Sequence, residues 1–285
     1  MRERRFIAAC VQMRSGRELG ANRDAAVAGV REGAGRGAAY IQTPEMTSLV
    51  ERSRERLFER VTTEDQDATL ASLRQTARDT GAMVHIGSIA VRSGDKIANR
   101  AYLIGADGEI LASYDKLHLF DVDLPSGERW RESATYTSGA CAVVVATPWA
   151  MLGLTICYDI RFPALYRSLA EAGAEILTAP ACFTRQTGEA HWHILQRARA
   201  IETGAFLISA AQGGVHEDGR ETFGHSLIVD PWGRVLADAG GSEPGVLLAE
   251  IDLTQVADAR ARIPALQHQR AFTVERIGPQ VRAAQ

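Results

Sequence analysis

The sequence predicts an α/β protein whose sheets contain both parallel and antiparallel strands. Short apolar segments typical of strands alternate with amphipathic segments typical of helices along the 285 residues. Two hairpin signals interrupt this alternation, one at Asp107-Gly108 and one at 230–233. Because hairpins join antiparallel strands whereas βαβ units join parallel ones, the combination indicates mixed sheets. Hydrophobic residues make up 46% of the chain, which is enough to fill a large core.

In the first half of the chain, each predicted element has its own signal. Continuous apolar runs predict the strands. Asn22 is a favourable N-cap for the first helix, which ends in glycines. The second helix has acidic residues in its first turn and basic residues in its last. In order, we predict a strand at 5–13, a helix at 22–35, a strand at 38–46, a helix at 64–81, a strand at 82–91 and a hairpin at 99–116.

The second half of the chain opens with a stretch that resembles a membrane helix. Residues 133–158 include no charged side chain, and a segment of that length can span a bilayer. Pro148 lies in its middle and favours extended geometry for the residue before it, so two strands fit better. The remaining predicted elements are strands at 141–148 and 150–157, a helix at 162–173, a strand at 174–183, a helix at 188–204, a strand at 205–214, a hairpin at 225–240, a strand at 245–252 and a C-terminal helix.

The organisation of the chain predicts one domain. No linker, repeat or low-complexity tract divides it, so we predict a single domain over 1–285, with an irregular tail from about residue 264. The charged run ERSRERLFER at 51–60 is interpreted as a solvated helical face. The net charge of -3 is spread along the chain, which argues against nucleic acid or an anionic membrane as the main partner.

Cysteine usage indicates a reducing compartment. The four cysteines are few for this length, and their spacing matches no zinc-binding pattern. The apolar run near the N-terminus is broken by Gln12 and Arg14 and is too short for a signal peptide. We therefore expect free thiols in a cytoplasmic protein.

Three residues that could take part in catalysis each follow a strand-like run. Cys157 ends the run LTIC, and Glu45 follows a buried run behind a proline. Lys116 is one of only two lysines among the 32 basic residues, which suggests a position where arginine would not serve. A nucleophilic thiol needs a base and a cation for the oxyanion that forms. Spacing alone leaves each residue open to an ordinary role as a core thiol, a loop carboxylate or a surface lysine.

Five motifs in this order resemble the nitrilase, or carbon–nitrogen hydrolase, superfamily: PEM, YDKLHLFDVDLP, RESATYTSG, ICYDIRFP and TAPACF. The similarity extends roughly from Arg5 to Gln269. The segments GEAHWHILQRARAIET and GHSLIVDPWG are most similar to the branch that contains deaminated glutathione amidase and ω-amidase. The resemblance implies a four-layer α-β-β-α sandwich, commonly paired into homodimers through the helical face after the cysteine. It implies no metal and no organic cofactor.

The resemblance also assigns site residues. It implies a second glutamate that hydrogen-bonds near the catalytic lysine, best matched by Glu132, with Glu128 the weaker candidate. The backbone N–H of Tyr158 is expected to stabilise the oxyanion. Asp159 and Arg161 are expected to pair with each other or with nearby backbone and to fix the turn. The implied catalytic triad is Glu45, Lys116 and Cys157.

The expected function is hydrolysis, without a cofactor, of a non-peptide C–N bond in a small carboxylate-bearing amide. The branch resemblance points to deaminated glutathione or a 2-oxo acid ω-amide, cleaved through a cysteine thioester with release of ammonia. The loop ACFTRQTGE offers Thr184, Arg185 and Thr187 to the substrate carboxylate. An arginine fork can bind both carboxylate oxygens, although loop arginines are commonly just solvated.

Several alternatives stay open at this point. A nitrilase or an N-carbamoyl amine hydrolase would use the same triad, and a catalytically silent binding module would share the fold. A metal site at His191 and His193 is disfavoured, because residues two apart on a helix do not share a face. A Cys/His hydrolase would need another base, and the spacing supports none of its three candidates, His118, His216 and His225.

Overall fold

The computed structural model describes residues 4–124 and 127–277. The helices in these ranges are α1 (Leu19–Gly35), α2 (Arg54–Arg60), α3 (Ala68–Thr80), α4 (Pro163–Glu171), α5 (Arg185–Thr203) and α6 (Thr254–Arg262). Short 3₁₀ helices span Glu64–Gln66, Glu132–Ala134 and Cys157–Arg161. The strands are β1 (Arg5–Gln12), β2 (Tyr40–Gln42), β3 (Met83–Ser93), β4 (Lys96–Ile104), β5 (Ile110–Asp115), β6 (Asp121–Asp123), β7 (Arg129–Arg131), β8 (Tyr136–Thr137), β9 (Val143–Ala146), β10 (Met151–Leu154), β11 (Ile176–Thr178), β12 (Phe206–Ser209), β13 (Gly213–Val215), β14 (Glu221–Phe223), β15 (Leu227–Val229), β16 (Val235–Asp238) and β17 (Gly245–Asp252).

Two larger sheets carry most of these strands. The first has the order β17-β1-β2-β3-β4-β5, with β8 beside β4. The second has the order β16-β15-β12-β11-β10-β9. β1 pairs in parallel with β2 but antiparallel with β17, and β11 likewise lies parallel to both neighbours in a sheet with antiparallel edges. The prediction of mixed sheets is therefore confirmed.

The two sheets pack face to face between two layers of helices, and β1 illustrates how. Side chains alternate between the two faces of a strand. Phe6, Ala8 and Cys10 lie in a core shared with the second sheet, whereas Ala9 and Val11 lie in a core shared with α1 and α3. Helices α4 and α5 pack on the second sheet. The four-layer α-β-β-α sandwich is therefore confirmed.

This stacking brings strand ends from both sheets together at one edge. Glu45 lies just beyond β2, and Lys116 directly follows β5, both in the first sheet. Cys157 lies just beyond β10 of the second sheet. Because β5 also lies against β9, the two sheets are in contact beside these ends.

The N-cap predicted at Asn22 is wrong. Helix α1 begins earlier, at Leu19, and Asn22 lies inside its first turn. The buried Asn22 side chain accepts from the Gly16 backbone N–H at 2.8 Å and donates to the Ser48 carbonyl at 2.8 Å. These bonds to distant backbone use the groups that a cap would need, so tertiary structure overrides the local signal.

The charged run at 51–60 is only partly the solvated face that was predicted. Helix α2 begins at Arg54, and most of its residues are exposed. Glu51, in contrast, is buried and forms an ion pair with Arg17, with 2.9 Å between Oε2 and Nε. Pairing makes the burial of this charge tolerable.

The described part of the C-terminal tail, residues 264–277, includes no helix or strand. The rest of the predicted tail, 278–285, and Pro125 of the YDKLHLFDVDLP motif lie outside the described residues. No helix in the described ranges has the length and apolarity needed to cross a membrane.

Candidate active site

A cleft of about 260 Å³ opens where the strand ends of the two sheets meet. Its lining includes all three predicted triad residues, Glu45, Lys116 and Cys157, together with Glu132. Cationic side chains dominate the charged part of the remaining lining. They are Arg52, Arg54, Arg129, Arg131 and Arg220.

The thiol of Cys157 is presented by a strained turn. Cys157 is the first residue of the 3₁₀ helix Cys157–Arg161, and its φ of +47° lies in the left-handed region. A non-glycine residue in this region costs about 1–2 kcal/mol, so the surrounding structure must hold it in place. Its backbone N–H donates to the Pro180 carbonyl at 2.9 Å, which ties the turn to the loop after β11.

Asp159 holds the same turn from inside the protein. Its fully buried carboxylate accepts from the Ile156 N–H at 2.9 Å, from the Tyr114 hydroxyl at 2.7 Å, and from both the backbone N–H and Nδ1 of His118. The predicted contact with nearby backbone is therefore present. The predicted pair with Arg161 is not, because the Arg161 guanidinium instead lies against the ring of Phe183, at 5.2 Å from its centroid.

Glu45 is a buried carboxylate with every oxygen engaged. Oε1 accepts from Lys116 Nζ at 2.9 Å and from Asn99 Nδ2 at 2.9 Å, and Oε2 accepts from the Cys182 backbone N–H at 2.8 Å. Burial alone would raise the pKa of Glu45, but the Lys116 charge and these hydrogen bonds outweigh it and hold the pKa below the ordinary value of 4.5. Glu45 is therefore ionised at neutral pH.

Lys116 lies between two carboxylates. Its ammonium donates to Glu45 and, in a forked arrangement, to Glu132 Oε1 at 3.1 Å and Oε2 at 2.9 Å. Burial would lower the pKa of Lys116, but Glu132 and Glu45 together raise it well above the ordinary value. Lys116 is thus a fixed cation. Glu132 is itself held by the Phe120 N–H at 2.6 Å and by Asn99 Nδ2 at 3.2 Å.

The thiol of Cys157 is neutral in the resting site. Burial, followed by the nearby charge of Glu45, raises its pKa well above 9.0, and Lys116 only partly offsets this. The Cys157 thiol and the Glu45 carboxylate line the same cleft. This arrangement can pass the thiol proton to Glu45 as the sulfur attacks an electrophile, so a free thiolate need not form first.

The backbone N–H of Tyr158 lies in the first turn of the 3₁₀ helix, directly after Cys157. The first turn of the 3₁₀ helix is closed by a bond from the Asp159 N–H to the Ile156 carbonyl, so the N–H of Tyr158 precedes the intrahelical bonds. Tyr158 itself lines the cleft next to Cys157. An N–H at this position is a typical oxyanion donor.

Two arginines enclose an aromatic ring in the cleft wall. The guanidinium carbons of Arg52 and Arg220 lie 4.4 and 4.5 Å from the centroid of Trp130. Arg220 Nη1 donates to the Cys182 thiol at 3.5 Å, and its buried Nε has no hydrogen-bond partner among the described residues. Arg220 therefore retains a donor beside the cleft.

Two of the three predicted substrate contacts line the cleft, and one does not. Thr184 and Thr187 line the cleft, and their hydroxyl oxygens lie 2.8 Å apart. Arg185 does not line it. This arginine is exposed beside a separate groove and pairs with Glu189 at 2.9 Å and Glu221 at 3.4 Å. Arg185 is therefore not retained as a substrate contact.

The alternative residues weighed from the sequence lie elsewhere or have other partners. Glu128 pairs with Arg52 rather than with the lysine. His118 is bound to Asp159, and His216 bonds the Ser15 carbonyl and Thr222. Among the described residues, one set of potential metal ligands lies close together, and it is outside the cleft: His193, His225 and Asp238.

Sequence reasoning missed two residues that support the cleft. Asn99, which bridges the two glutamates, is a polar side chain inside a strand-like run, and that anomaly was the available signal. Arg220 had no signal, since it is one arginine among many and lies far along the chain from the triad.

Comparison with known proteins agrees with this geometry. The family described as carbon-nitrogen hydrolase matches residues 7–261. Deaminated glutathione amidase of Synechocystis sp. is 39% identical over 269 residues, which cover 92% of this chain and 97% of that protein. The C. elegans NitFhit protein superposes with a TM-score of 0.87 at 33% identity, over 95% of this chain and 66% of that longer chain.

An amidase from Nesterenkonia sp. AN1 is informative about the thiol. The structure of one of its variants has a TM-score of 0.78 and 26% identity to this chain, covering 93% of this chain and 94% of that one. In it, the acetamide moiety of fluoroacetamide is covalently attached to the active-site cysteine. The matched region spans nearly the whole sequence and includes every predicted triad position. The chain therefore belongs to the carbon–nitrogen hydrolase family.

Proposed function

We propose that this carbon–nitrogen hydrolase is a thiol amidohydrolase that uses Cys157 as nucleophile, Glu45 as general base and acid, and Lys116 as electrostatic stabiliser. The observation that best supports the proposal is the convergence of these three side chains in one cleft, with the Lys116 ammonium 2.9 Å from Glu45 and the Cys157 thiol in the lining of the same cleft. Glu132 and Asn99 act as positioning residues, since they hold the pair through hydrogen bonds.

The reaction proceeds in two halves. Glu45 takes the thiol proton while the sulfur attacks the amide carbon, and the oxyanion is stabilised by Lys116 and the Tyr158 N–H. Glu45 then delivers the proton to the amide nitrogen, the C–N bond breaks, ammonia leaves and a thioester remains. Glu45 next takes a proton from water, whose oxygen attacks the thioester. Collapse of this intermediate releases the carboxylic acid, and the sulfur regains its proton from Glu45.

We propose a small amide that carries a carboxylate as the substrate, such as deaminated glutathione or a 2-oxo acid ω-amide. Two findings support this class. Arg52 and Arg220, with a free Nε donor on Arg220, provide cations on the cleft wall, and guanidinium groups suit carboxylates. Relatives that are 39% identical, from Synechocystis sp., and 45% identical, from Rattus norvegicus, bear the name deaminated glutathione amidase.

The deciding experiment is ammonia release across a panel of deaminated glutathione, 2-oxo acid ω-amides, neutral amides, nitriles and carbamoyl amines. We expect the carboxylate-bearing amides to have the highest kcat/KM. Cys157→Ala should abolish turnover while leaving the circular dichroism spectrum unchanged. If nitriles or carbamoyl amines were preferred, the substrate class would be wrong and the triad would stand. Ammonia release by Cys157→Ala at the wild-type rate would refute the thiol mechanism itself.

We further propose that the single domain works as a cytoplasmic homodimer. The supporting observation is an apolar surface formed by Ile194 and Ile201 of α5 and Trp232 of the adjoining β15–β16 turn, all more than half exposed. Arg197 Nε donates to the Gly233 carbonyl at 2.7 Å and ties the helix to that turn. Sedimentation should show a dimer that Ile201→Glu dissociates, whereas Leu111→Glu, at an exposed apolar side chain on β5, should not. A monomeric wild type would refute the proposal.

A further inference from the structure

Three potential ligand side chains from different elements meet outside the cleft. His193 lies on α5, His225 lies just before β15, and Asp238 ends β16. His193 Nε2 is 2.8 Å from Asp238 Oδ2, and His225 Nδ1 is 2.9 Å from Oδ1 and 3.1 Å from Oδ2. The ligand atoms of all three residues lie within 4.8 Å of one another.

The surrounding structure holds two of these residues in place. His225 has a φ of +54°, a conformation that a non-glycine residue keeps only when its neighbours hold it. Its carbonyl accepts from Trp192 Nε1 at 2.8 Å, and its ring stacks on Phe223 with centroids 4.3 Å apart. Asp238 Oδ1 also accepts from the Gly240 N–H at 2.9 Å. His225 and Asp238 are therefore oriented before any metal binds.

We propose that His193, His225 and Asp238 form a binding site for one zinc ion. Two imidazole nitrogens and one carboxylate oxygen are a donor set that zinc accepts, whereas calcium and magnesium prefer oxygen alone. Zinc bonds of about 2.0–2.2 Å in a tetrahedron separate neighbouring ligands by about 3.3 Å. The nitrogen–oxygen distances of 2.8 and 3.1 Å need only a small expansion to reach this spacing.

The charge environment favours a cation at this point. None of the described arginines or lysines forms an ion pair with Asp238, whose side-chain partners are the two imidazoles. The nearest groove also contains Arg14 and Arg185, but Glu243 pairs with the first, and Glu189 and Glu221 pair with the second. Zinc would take the place of the hydrogen bonds that join the two imidazoles to the carboxylate. All three residues are incompletely buried, so water can take the fourth position that a three-ligand site leaves open.

The zinc would have a structural effect rather than a catalytic one. It would join α5 to the β15–β16 hairpin. The hairpin belongs to the second sheet, and α5 packs on that sheet. The cleft residues of the proposed reaction are not among its ligands. Zinc should therefore raise the thermal midpoint, by an amount that grows with the logarithm of the ratio of free zinc to Kd, while its removal leaves kcat unchanged.

The test is zinc titration of the chelator-treated full chain by calorimetry, with the metal content measured afterwards. The wild type should bind one zinc per chain. His193→Gln, His225→Asn and Asp238→Asn should each weaken binding by at least about 10- to 100-fold, the cost of losing even an outer contact to a metal ligand. Asparagine tolerates the left-handed backbone at 225. His191→Gln is the matched control, because His191 lies on the same helix outside the cluster.

A second readout separates this site from the thiols. Cobalt bound at the cluster should give visible bands without a thiolate charge-transfer band, and iodoacetamide treatment should leave that binding intact. Three outcomes would overturn the proposal: no saturable zinc binding, equal affinity in the three ligand variants and wild type, or binding that disappears when the thiols are alkylated. In the first case, the cluster is only a hydrogen-bonded histidine–aspartate arrangement.

Discussion

The ammonium of Lys116 lies 2.9 Å from Oε1 of Glu45, and both side chains are at most 5% exposed. A buried ion pair of this kind is costly unless further hydrogen bonds satisfy both partners. Glu132, Asn99 and the Cys182 N–H supply those bonds. The pair is therefore a permanently charged unit beside the thiol, and its energetic cost is understandable if the charges serve the reaction.

Replacing Lys116 tests the stabilising cation. Lys116→Ala should lower kcat by at least about 10²- to 10³-fold, the usual effect of removing one oxyanion donor. Lys96→Ala is the matched control, because Lys96 is the only other lysine and donates at the surface to the Ser133 carbonyl at 3.1 Å. Steady-state ammonia release measures both. Equal activity of the two variants would remove Lys116 from the mechanism.

Replacing Glu45 tests the general base. Glu45→Gln preserves the shape of the side chain but cannot accept the thiol proton, so kcat should fall by about 10²- to 10⁴-fold. Thermal unfolding of the variant should be followed in parallel, since Lys116 loses one of its two carboxylate partners. A folded Glu45→Gln protein that turns over at the wild-type rate would contradict the assignment.

The pH dependence of the wild type follows from the same carboxylate. The folded-state pKa of Glu45 lies below its ordinary value of 4.5. The stabilisation from its ionised form is therefore complete above about pH 4.5 and is lost as the pH falls through the folded-state pKa. We expect the acid limb of kcat/KM below pH 4.5, together with a loss of unfolding free energy in the same range. An acid limb near neutral pH would be inconsistent with this site.

The choice between the two supporting glutamates can be made directly. Glu132→Gln should lower kcat by about 10²-fold, because Lys116 would lose its forked partner and its fixed position. Glu128→Gln should have little effect on kcat, since Glu128 pairs with Arg52 instead. The acid limb of the pH profile should shift only in Glu132→Gln. The reverse ranking would show that Glu128 is the positioning residue.

Arginine variants test the substrate class. Arg52→Gln should raise KM for carboxylate-bearing amides by about 10- to 100-fold, the value of a hydrogen bond to a charged group, and should hardly change KM for neutral amides. Arg185→Gln is the control, because Arg185 is equally cationic but lies outside the cleft. Equal effects on acidic and neutral amides would exclude Arg52 from carboxylate binding.

Thiol chemistry gives an independent check. Cys141 is exposed, so the experiment belongs in a Cys141→Ser background. Iodoacetamide should stop turnover in step with labelling of Cys157, whereas prolonged chelation should leave the rate unchanged. Activity that persists after complete labelling of Cys157 would contradict the mechanism, as would a loss to the chelator that zinc restores.

Residues whose signal is local were predictable from the sequence. Glu45, Lys116 and Cys157 each lie at the end of a strand-like run within a short motif. The family resemblance indicated that these three residues form one catalytic triad. The alternation of strands and helices, with its hairpins, predicted the mixed sheets for the same reason, whereas the four layers were implied by the family resemblance. Asn22 shows the limit of this reasoning, since its capping pattern is local but its actual partners, Gly16 and Ser48, are set by tertiary packing.

Contacts between distant segments could not be predicted in this way. Arg220 lies against Trp130 in the cleft wall, and nothing in either local sequence indicates the other. The same is true of His193 and Asp238, whose 2.8 Å contact depends on how α5 lies against a hairpin. Conversely, the H-x-H pattern of His191 and His193 is a local signal for a metal-binding pair, but the helix places these two side chains on different faces.

The origin of the cleft residues from two sheets has a consequence for inactivation. Glu45 and Lys116 extend from one sheet and Cys157 from the other, and the bond from the Cys182 N–H to Glu45 crosses the boundary. Neither half of the sandwich holds a complete reaction centre. A displacement of about 1 Å in reacting groups can cost about 10²-fold in rate. The rate of turnover therefore depends on the alignment of the two sheets. Mild denaturant should abolish activity at concentrations that leave the helices and strands intact.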